Sequence, residues 1–513
     1  MSEARSIEST DDTRKESEDL ASPIPSPTPD EIGLLREIVF VGLVVGTQLL
    51  TQASLAQTII TVGTLSKDFD VTDSPGEQSW FTAAFSLTVG TFILISGRLG
   101  DLFGYKKIFV SAYCFLSLSS LITGFTVYTH SVVFFDVMRS LQGLGFSLAF
   151  PNALAIFGHY YPMGPKRILF MCLFGAVAPG GFVIGSLFNT TIVNHAWWPW
   201  GFWVLAIVAL VVAFTSFFVI PKNIVNNSSH RGGFDWVGSV TGVCGLILIN
   251  FAFNQGPNVG WDKPYVYVLL IVGFLFVGAF FVVERKVKNP LVPKEVMRGE
   301  TGFVLGCIAA GWSSFGIWLF YTARFLSVLD LLSPMQVTVR YITVLPMGIA
   351  AAGLTAVLLP KINVSYIMII AMTAFLVCNV LIGNRPVGQV YWAQNFVSFL
   401  IGPFGMDMSF PAATVILSHS FPKHQQGVAA SLVSTIVNYS ISIGLGLAGT
   451  VEYYTVKGQP DTFEVTERGI RRAFYMGMGL GGLGVVTAIV FIFYERAKDK
   501  RKEKASSDAK EHS

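Results

Sequence analysis

Charge is what this sequence has least of. Lys and Arg number 35 and Asp and Glu 32 in 513 residues, 13% of the chain, where soluble proteins carry roughly 25%. A soluble chain of this length would divide into about three domains, each needing charge to cover its surface. Here the charges crowd into residues 1–36 and 495–513, and long apolar runs fill the stretch between. That excludes a soluble multidomain enzyme. A net charge of +3, with no basic stripe along any face, gives no reason to expect nucleic acid as a partner. Cysteine is scarce too: Cys114, Cys172, Cys244, Cys307 and Cys378 lie singly in apolar runs, without metal-ligand or redox spacing. They read as small buried hydrophobes. The seven histidines, His130, His159, His195, His230, His419, His424 and His512, are scattered, and no G-x-x-x-x-G-K-[ST] phosphate loop is present. Neither an enzyme nor ATP drive is expected, and no cofactor or metal.

What the chain has instead is length of apolar run. A helix that crosses a bilayer needs roughly 20 predominantly apolar residues. That ruler places spans near 36–58, 80–97, 108–127, 132–154, 167–188, 201–220, 235–254, 265–283, 301–322, 335–359, 364–383, 389–415, 428–450 and 471–494, fourteen in all. Runs this long do not alternate as barrel strands do, so the fold class is all-α integral membrane. The tail before the first span, with Ser22, Pro23, Pro25, Ser26, Pro27 and Pro29, reads as disordered and not as a cleaved leader.

Basic residues orient such a protein. With a cytoplasmic N-terminus, the inner loops hold Arg98, Lys106, Lys107, Lys166, Arg167, Lys222, Arg231, Arg285, Lys286, Lys288, Lys294, Arg298, Lys361 and Lys423. The outer loops hold only Lys67, Lys263, Arg324, Arg385, Lys457, Arg468, Arg471 and Arg472. An even number of spans then returns the C-terminus to the inside. The tail bearing Arg496, Lys498, Lys500, Arg501, Lys502 and Lys504 either meets an anionic leaflet or is simply solvated. Trp197, Trp198, Trp200 and Trp203 read as an interfacial aromatic belt.

An internal repeat organises the spans. Residues 145–162 (GFSLAFPNALAIFGHYYP) and 405–422 (GMDMSFPAATVILSHSFP) match at seven of eighteen positions with a constant offset of 260. The offset pairs span four with span twelve, which implies six helices, two inserted, then six more. Two similar halves that face each other across a central solute site are the architecture of alternating-access transporters.

Four places carry chemistry. The connection between spans two and three, Gly97-Arg98-Leu99-Gly100-Asp101-Leu102-Phe103-Gly104-Tyr105-Lys106-Lys107, is a tight glycine turn with an acid and two headgroup lysines. Span four carries Arg139-Ser140-Leu141-Gln142-Gly143, an intramembrane arginine that must face a cavity or a partner, with Asp136 three residues earlier on the same face. Span five carries Gly175, Pro179, Gly181 and Gly185, a kinked, closely packing pattern. Span twelve carries Asp407, whose repeat partner is Ser147, so the repeat does not require it; it reads as a protonatable group, a cation partner or a satisfied structural acid. Gln48, Gln52, Gln57, Asn250 and Asn438 either line the same cavity or bond between helices. Two G-x-G-x-x-G matches, at Gly444 and Gly477, lie inside apolar spans and read as helix-packing glycines.

The first connection resembles the signature loop of the major facilitator superfamily, with Leu102 and Tyr105 where basic residues are usual. The span-four and span-five patterns resemble those of its proton antiporters, though Ala178 and Phe182-Val183 depart from the span-five pattern. Fourteen spans, Phe234-Asp235-Trp236, and Glu284 followed by Pro290-Leu291-Val292-Pro293 resemble the fourteen-helix drug:proton antiporter branch. Thr51–Gln57, Asn254–Trp261 (NQGPNVGW) and Asn438-Tyr439-Ser440 resemble its fungal aminotriazole-resistance-type subgroup, whose members are associated with efflux of toxic compounds, borate among them, and with low-affinity ammonium transport. The resemblance implies two six-helix bundles, 36–220 and 301–494, joined by two linker helices and a cytoplasmic loop over 221–300 and flanked by tails 1–35 and 495–513. It also implies proton-coupled efflux by a monomer in the plasma or vacuolar membrane, with a small-molecule substrate, protons and lipid as partners. The alternatives are uptake of a small solute such as ammonium, or a solute sensor that does not transport. The branch often has an aspartate in span one. Here no acid lies between Glu37 and Asp68, so coupling falls to Asp407 or to Asp136 and Arg139.

Overall fold

The computed structural model describes residues 33–161, 165–221, 235–287, 291–292, 299–420 and 426–511. Every regular element among them is helical, and fourteen helices are long and apolar enough to cross a membrane. They are α1 (Leu34–Ile60), α2 (Pro75–Phe103), α3 (Tyr105–Phe125), α4 (Val132–Tyr160), α5 (Pro165–His195), α6 (Pro199–Val219) and α7 (Trp236–Val259). Then come α8 (Pro264–Lys286), α9 (Glu300–Arg324), α10 (Pro334–Tyr341 and Val344–Leu358), α11 (Val364–Gly383), α12 (Gln394–Ser420), α13 (Gln426–Val456) and α14 (Phe463–Glu511). The chain from Val39 onward forms one compact unit, to which the residues through Ile38 do not belong.

Local chemistry sets the helix ends. Pro75, Pro199, Pro264 and Pro334 open α2, α6, α8 and α10, where the missing N–H costs nothing and φ is already helical. Asp235 caps α7 by accepting from the Gly238 amide at 2.8 Å. Gly104, at φ +97°, makes the turn from α2 into α3. Two helices differ most from expectation. The tenth span breaks at Ile342–Thr343, because the Pro346 ring has no N–H for the Ile342 carbonyl and collides with it. The fourteenth continues far past 494, since no glycine or proline follows Gly484 and the basic tail is rich in helix-forming Lys, Glu, Arg and Ala.

The packing repeats with an offset of eight helices. α3 packs on α4 and α6, as α11 packs on α12 and α14; α2 packs on α4, as α10 packs on α12. Gly145 of α4 lets Leu116 of α3 approach, and Gly405 of α12 does the same for Phe375 of α11. α1 closes on α5, where Gly181 meets Leu49 and Gly185 meets Ala53, and α9 closes on α13, where Gly444 meets Ser313. These glycines admit backbones that any side chain would hold apart. The two series touch through α2 against α13 and α5 against α10, while α7 and α8 pack as a pair.

Candidate functional site

The α5/α10 seam brings three separated residues together. A side chain at Gly348 of α10 would begin 2.7 Å from Pro179 Cγ of α5 and 3.0 Å from Asp407 Oδ2 of α12. Only glycine fits between that proline and that carboxyl group. Asp407 Oδ2 is buried and has no hydrogen-bond partner among the described residues; its main-chain oxygen accepts from Thr355 of α10 at 3.3 Å. Along the same seam Thr190 and Thr338 hydroxyls lie 2.9 Å apart and the Phe182 and Tyr341 rings 5.6 Å apart. The span-five motif therefore divides: Gly181 and Gly185 join α1, and Pro179 faces α10. Gly175 has nothing within 4 Å of its added Cβ.

Arg139 is wholly buried in α4. Its guanidinium donates to Gln142 Oε1 (2.7 Å), the main-chain oxygens of Ser54 (3.0 Å) and Phe81 (3.3 Å), and the hydroxyls of Ser54 (3.3 Å) and Thr58 (3.4 Å). It stacks 4.8 Å from the Phe85 ring. Gln142 in turn donates to Ser120 at 2.8 Å. Asp136 does not pair with it: its Oδ1 is buried without a hydrogen-bond partner among the described residues, and the arginine spends its donors on neutral oxygens of α1, α2 and α4. The rigid guanidinium fork reaches all three helices at once, which an ion pair along one helix would not do.

The span two–three motif is helix end, not open loop. α2 runs through Asp101 to Phe103, and Asp101 accepts from Arg98 at 3.3 Å and from the Tyr105 hydroxyl. Tyr105 thus uses its departure from the family pattern, and its ring lies 4.7 Å from that of His159. Lys106 donates to the Ile220 carbonyl after α6; Lys107 is exposed. Gly100 leaves room for Asn152 and Gly97 lies near Ser431 of α13, so this motif borders the α2/α13 seam.

Other candidates disperse. Gln57 donates to Gly201 (2.9 Å) and Asn189 to the Gln57 carbonyl (3.0 Å), bonds that tie α1, α5 and α6. Gln52 meets Gly181, and Asn438 donates within its own helix at 2.9 Å. Asn250 joins Asn254 and Ser442. The tryptophan belt is partial: Trp197 and Trp200 are exposed, but Trp198 is buried and donates to Asp68 at 2.8 Å. The glycines of the nucleotide-like match at Gly444 meet Ser313, Phe253 and Pro257, as packing residues do. Of the cysteines described, Cys307 and Cys378 are buried, while Cys114 is exposed. His419, Lys423 and His424 fall where no side chain is described.

Two charge pairs escape a reading of the sequence. Glu452 of α13 and Arg324 of α9 form a buried ion pair at 2.6 Å, with Tyr321 donating to the same carboxylate at 2.8 Å. The expected spans stopped two residues short of each partner, which left both charges in loops. Arg385, also buried, pairs with Asp330 at 2.6 Å and stacks 4.7 Å from Phe325. Burial pushes that guanidinium below its ordinary range, and Asp330 pulls against the shift.

Fourteen apolar helices, a packing pattern that repeats eight helices on, and two seams between the series define a multi-span carrier fold. Comparison with known proteins agrees. The Major Facilitator Superfamily model matches residues 44–445, and the chain belongs to that superfamily. It is 46% identical to a low affinity ammonium transporter of Saccharomyces cerevisiae, with 91% of each chain covered. It is 38% identical to an efflux pump of Aspergillus terreus, with 92% of each covered. It is 36% identical to an aminotriazole resistance protein of Saccharomyces cerevisiae, over 92% of this chain and 86% of that one. Among solved structures, the nucleoside transporter NupG shares the fold at a TM-score of 0.59 and 10% identity, covering 88% of this chain and 99% of that one.

Proposed function

We propose that this chain is a proton-coupled secondary transporter that exports small toxic molecules by alternating access, with both termini cytoplasmic and the plasma membrane as its site. Residues 36–220 and 301–494 serve as the two rocking bundles, parting and closing along the α2/α13 and α5/α10 seams. Asp407 is the coupling carboxyl group. The observation that carries this reading is Asp407 Oδ2, buried without a partner among the described residues and set with Pro179 against Gly348. A carboxylate deep in a span is costly unless paired or hydrated. The closed seam suits the neutral acid, and the ionised form calls for water or a cation in the same place. Proton binding therefore favours the closed α5/α10 contact and proton loss favours its opening. Arg139, held by five neutral oxygens, stiffens the N-terminal bundle.

Likeness to the ammonium transporter favours a second reading, uptake of a small cation, in which an ionised Asp407 holds that cation. Proteoliposomes separate the two. Under efflux, 3-amino-1,2,4-triazole accumulates against an imposed pH gradient, and Asp407→Asn abolishes accumulation while counterflow exchange survives. Wild-type accumulation by Asp407→Asn would remove this residue from coupling. Under uptake, methylammonium enters on an inside-negative potential at equal pH. If neither probe moves beyond protein-free vesicles, the non-transporting sensor gains.

A further inference from the structure

α7 lies across the α2/α13 seam and treats its two neighbours differently. Toward α13 it is bonded. The Tyr439 hydroxyl donates to the Leu246 carbonyl at 2.9 Å, Asn254 Nδ2 to Ser442 Oγ at 3.2 Å, and Ser442 Oγ to Asn250 Oδ1 at 2.7 Å. Just past the helix, Trp261 Nε1 donates to Thr450 at 3.1 Å. The backbones also nearly touch: a Cβ at Gly446 would lie 2.5 Å from the Phe253 oxygen, and one at Gly449 lies 3.4 Å from Pro257 Cβ. Toward α2 the contact is one of packing. Phe251 faces Trp80 with ring centroids 5.4 Å apart, and a Cβ at Gly76 would lie 2.1 Å from Asn258 Oδ1. Among the described residues, no hydrogen bond from Leu246–Trp261 reaches α2.

The asymmetry decides which contact can open. Parting α7 from α13 would leave the Tyr439 hydroxyl without its acceptor and take Ser442 from the Asn250 and Asn254 amides, in an apolar interior. That node has nothing to spare, since Asn250 Nδ2 and Asn254 Oδ1 are already buried without partners among the described residues. Parting α7 from α2 separates the Trp80 and Phe251 rings and lifts Asn258 off Gly76, and it breaks no hydrogen bond among the described residues. The stretch Asn254–Trp261 thus belongs to the seam along most of its length. Asn254 binds Ser442, Gly256 accommodates the Trp261 ring, Pro257 meets Gly449, and Asn258 meets Gly76.

We propose that α7 is a latch on the α2/α13 seam, carried by α13 through hydrogen bonds and closing on α2 through Trp80/Phe251 and Gly76/Asn258, so that this seam opens only when α7 releases α2. The inference rests on the alternating-access reading but not on the role of Asp407. Disulfides test it in a cysteine-free background confirmed to exchange 3-amino-1,2,4-triazole. One pair, Gly76→Cys with Asn258→Cys, joins α7 to α2; the other, Pro257→Cys with Gly449→Cys, joins α7 to α13 at a Cβ spacing of 3.4 Å, at the short edge of the disulfide range. Oxidising the first pair is expected to slow counterflow by about tenfold or more, reversibly with reductant, because a gating contact is pinned. Oxidising the second is expected to leave it unchanged. Exchange that survives the first crosslink, or is stopped only by the second, overturns the latch. If the background exchanges no probe, the transport reading has failed; the latch is then read from spin labels at Asp73→Cys and Lys457→Cys. Trp80→Ala should move their distances toward a longer population, and unchanged distances would overturn the proposal.

Discussion

Replacing Glu452 with Gln tests whether the buried charge pair holds the last six helices together. Arg324 Nη1 lies 2.7 and 2.6 Å from the two Glu452 oxygens, the Tyr321 hydroxyl lies 2.8 Å from one of them, and side-chain exposures are 4% and 1%. The amide keeps the shape but removes the counter-charge, leaving a desolvated guanidinium, which costs about 3–5 kcal/mol. Replacing both Arg324 and Glu452 with Met removes the stranded charge as well. What remains is a Tyr321 hydroxyl without its acceptor, about 1–3 kcal/mol, against which apolar replacement of a buried pair commonly gains about 1–4 kcal/mol. The double variant should therefore lie between about 2 kcal/mol less stable and about 3 kcal/mol more stable than wild type, well above the single variant. Cys307 and Cys378, buried in α9 and α11, supply the assay: their labelling by a thiol reagent in mild detergent with rising dodecyl sulfate reports opening of these helices. A Glu452→Gln protein within about 0.5 kcal/mol of wild type would refute the argument. So would a double variant as unstable as the single one.

Two further perturbations separate backbone from packing effects. Gly104→Ala places its Cβ in open space yet forces an L-residue to φ +97°. It should cost about 1–3 kcal/mol in the same labelling assay, and no measurable loss would mean the α2–α3 turn relaxes freely. Gly348→Ala drives a methyl into Pro179 and Asp407, so it should cost about 1–3 kcal/mol by overpacking and depress gradient-driven transport more than Thr355→Ala. Equal transport in the two would show that this seam is not where coupling occurs.

The sequence by itself determined the number of helices, several of the glycines where backbones close, though not Gly175, Gly479 or Gly482, and the repeat that pairs α4 with α12. These are local properties: apolar length sets a span, and small residues set close approach, whatever lies opposite. The break at Ile342–Thr343 was written in Pro346 but masked by the apolar run around it. Charge was legible only as scarcity. Residues that look alike on paper were sorted by tertiary structure alone: Arg139 went to neutral oxygens and not to Asp136, Arg324 to Glu452, and Trp198 inward to Asp68. Only the fold brings Pro179, Gly348 and Asp407 to one point, or sets Asn254 against Ser442. Those residues lie far apart in the chain, and their meeting depends on how helices cross, which no local period encodes.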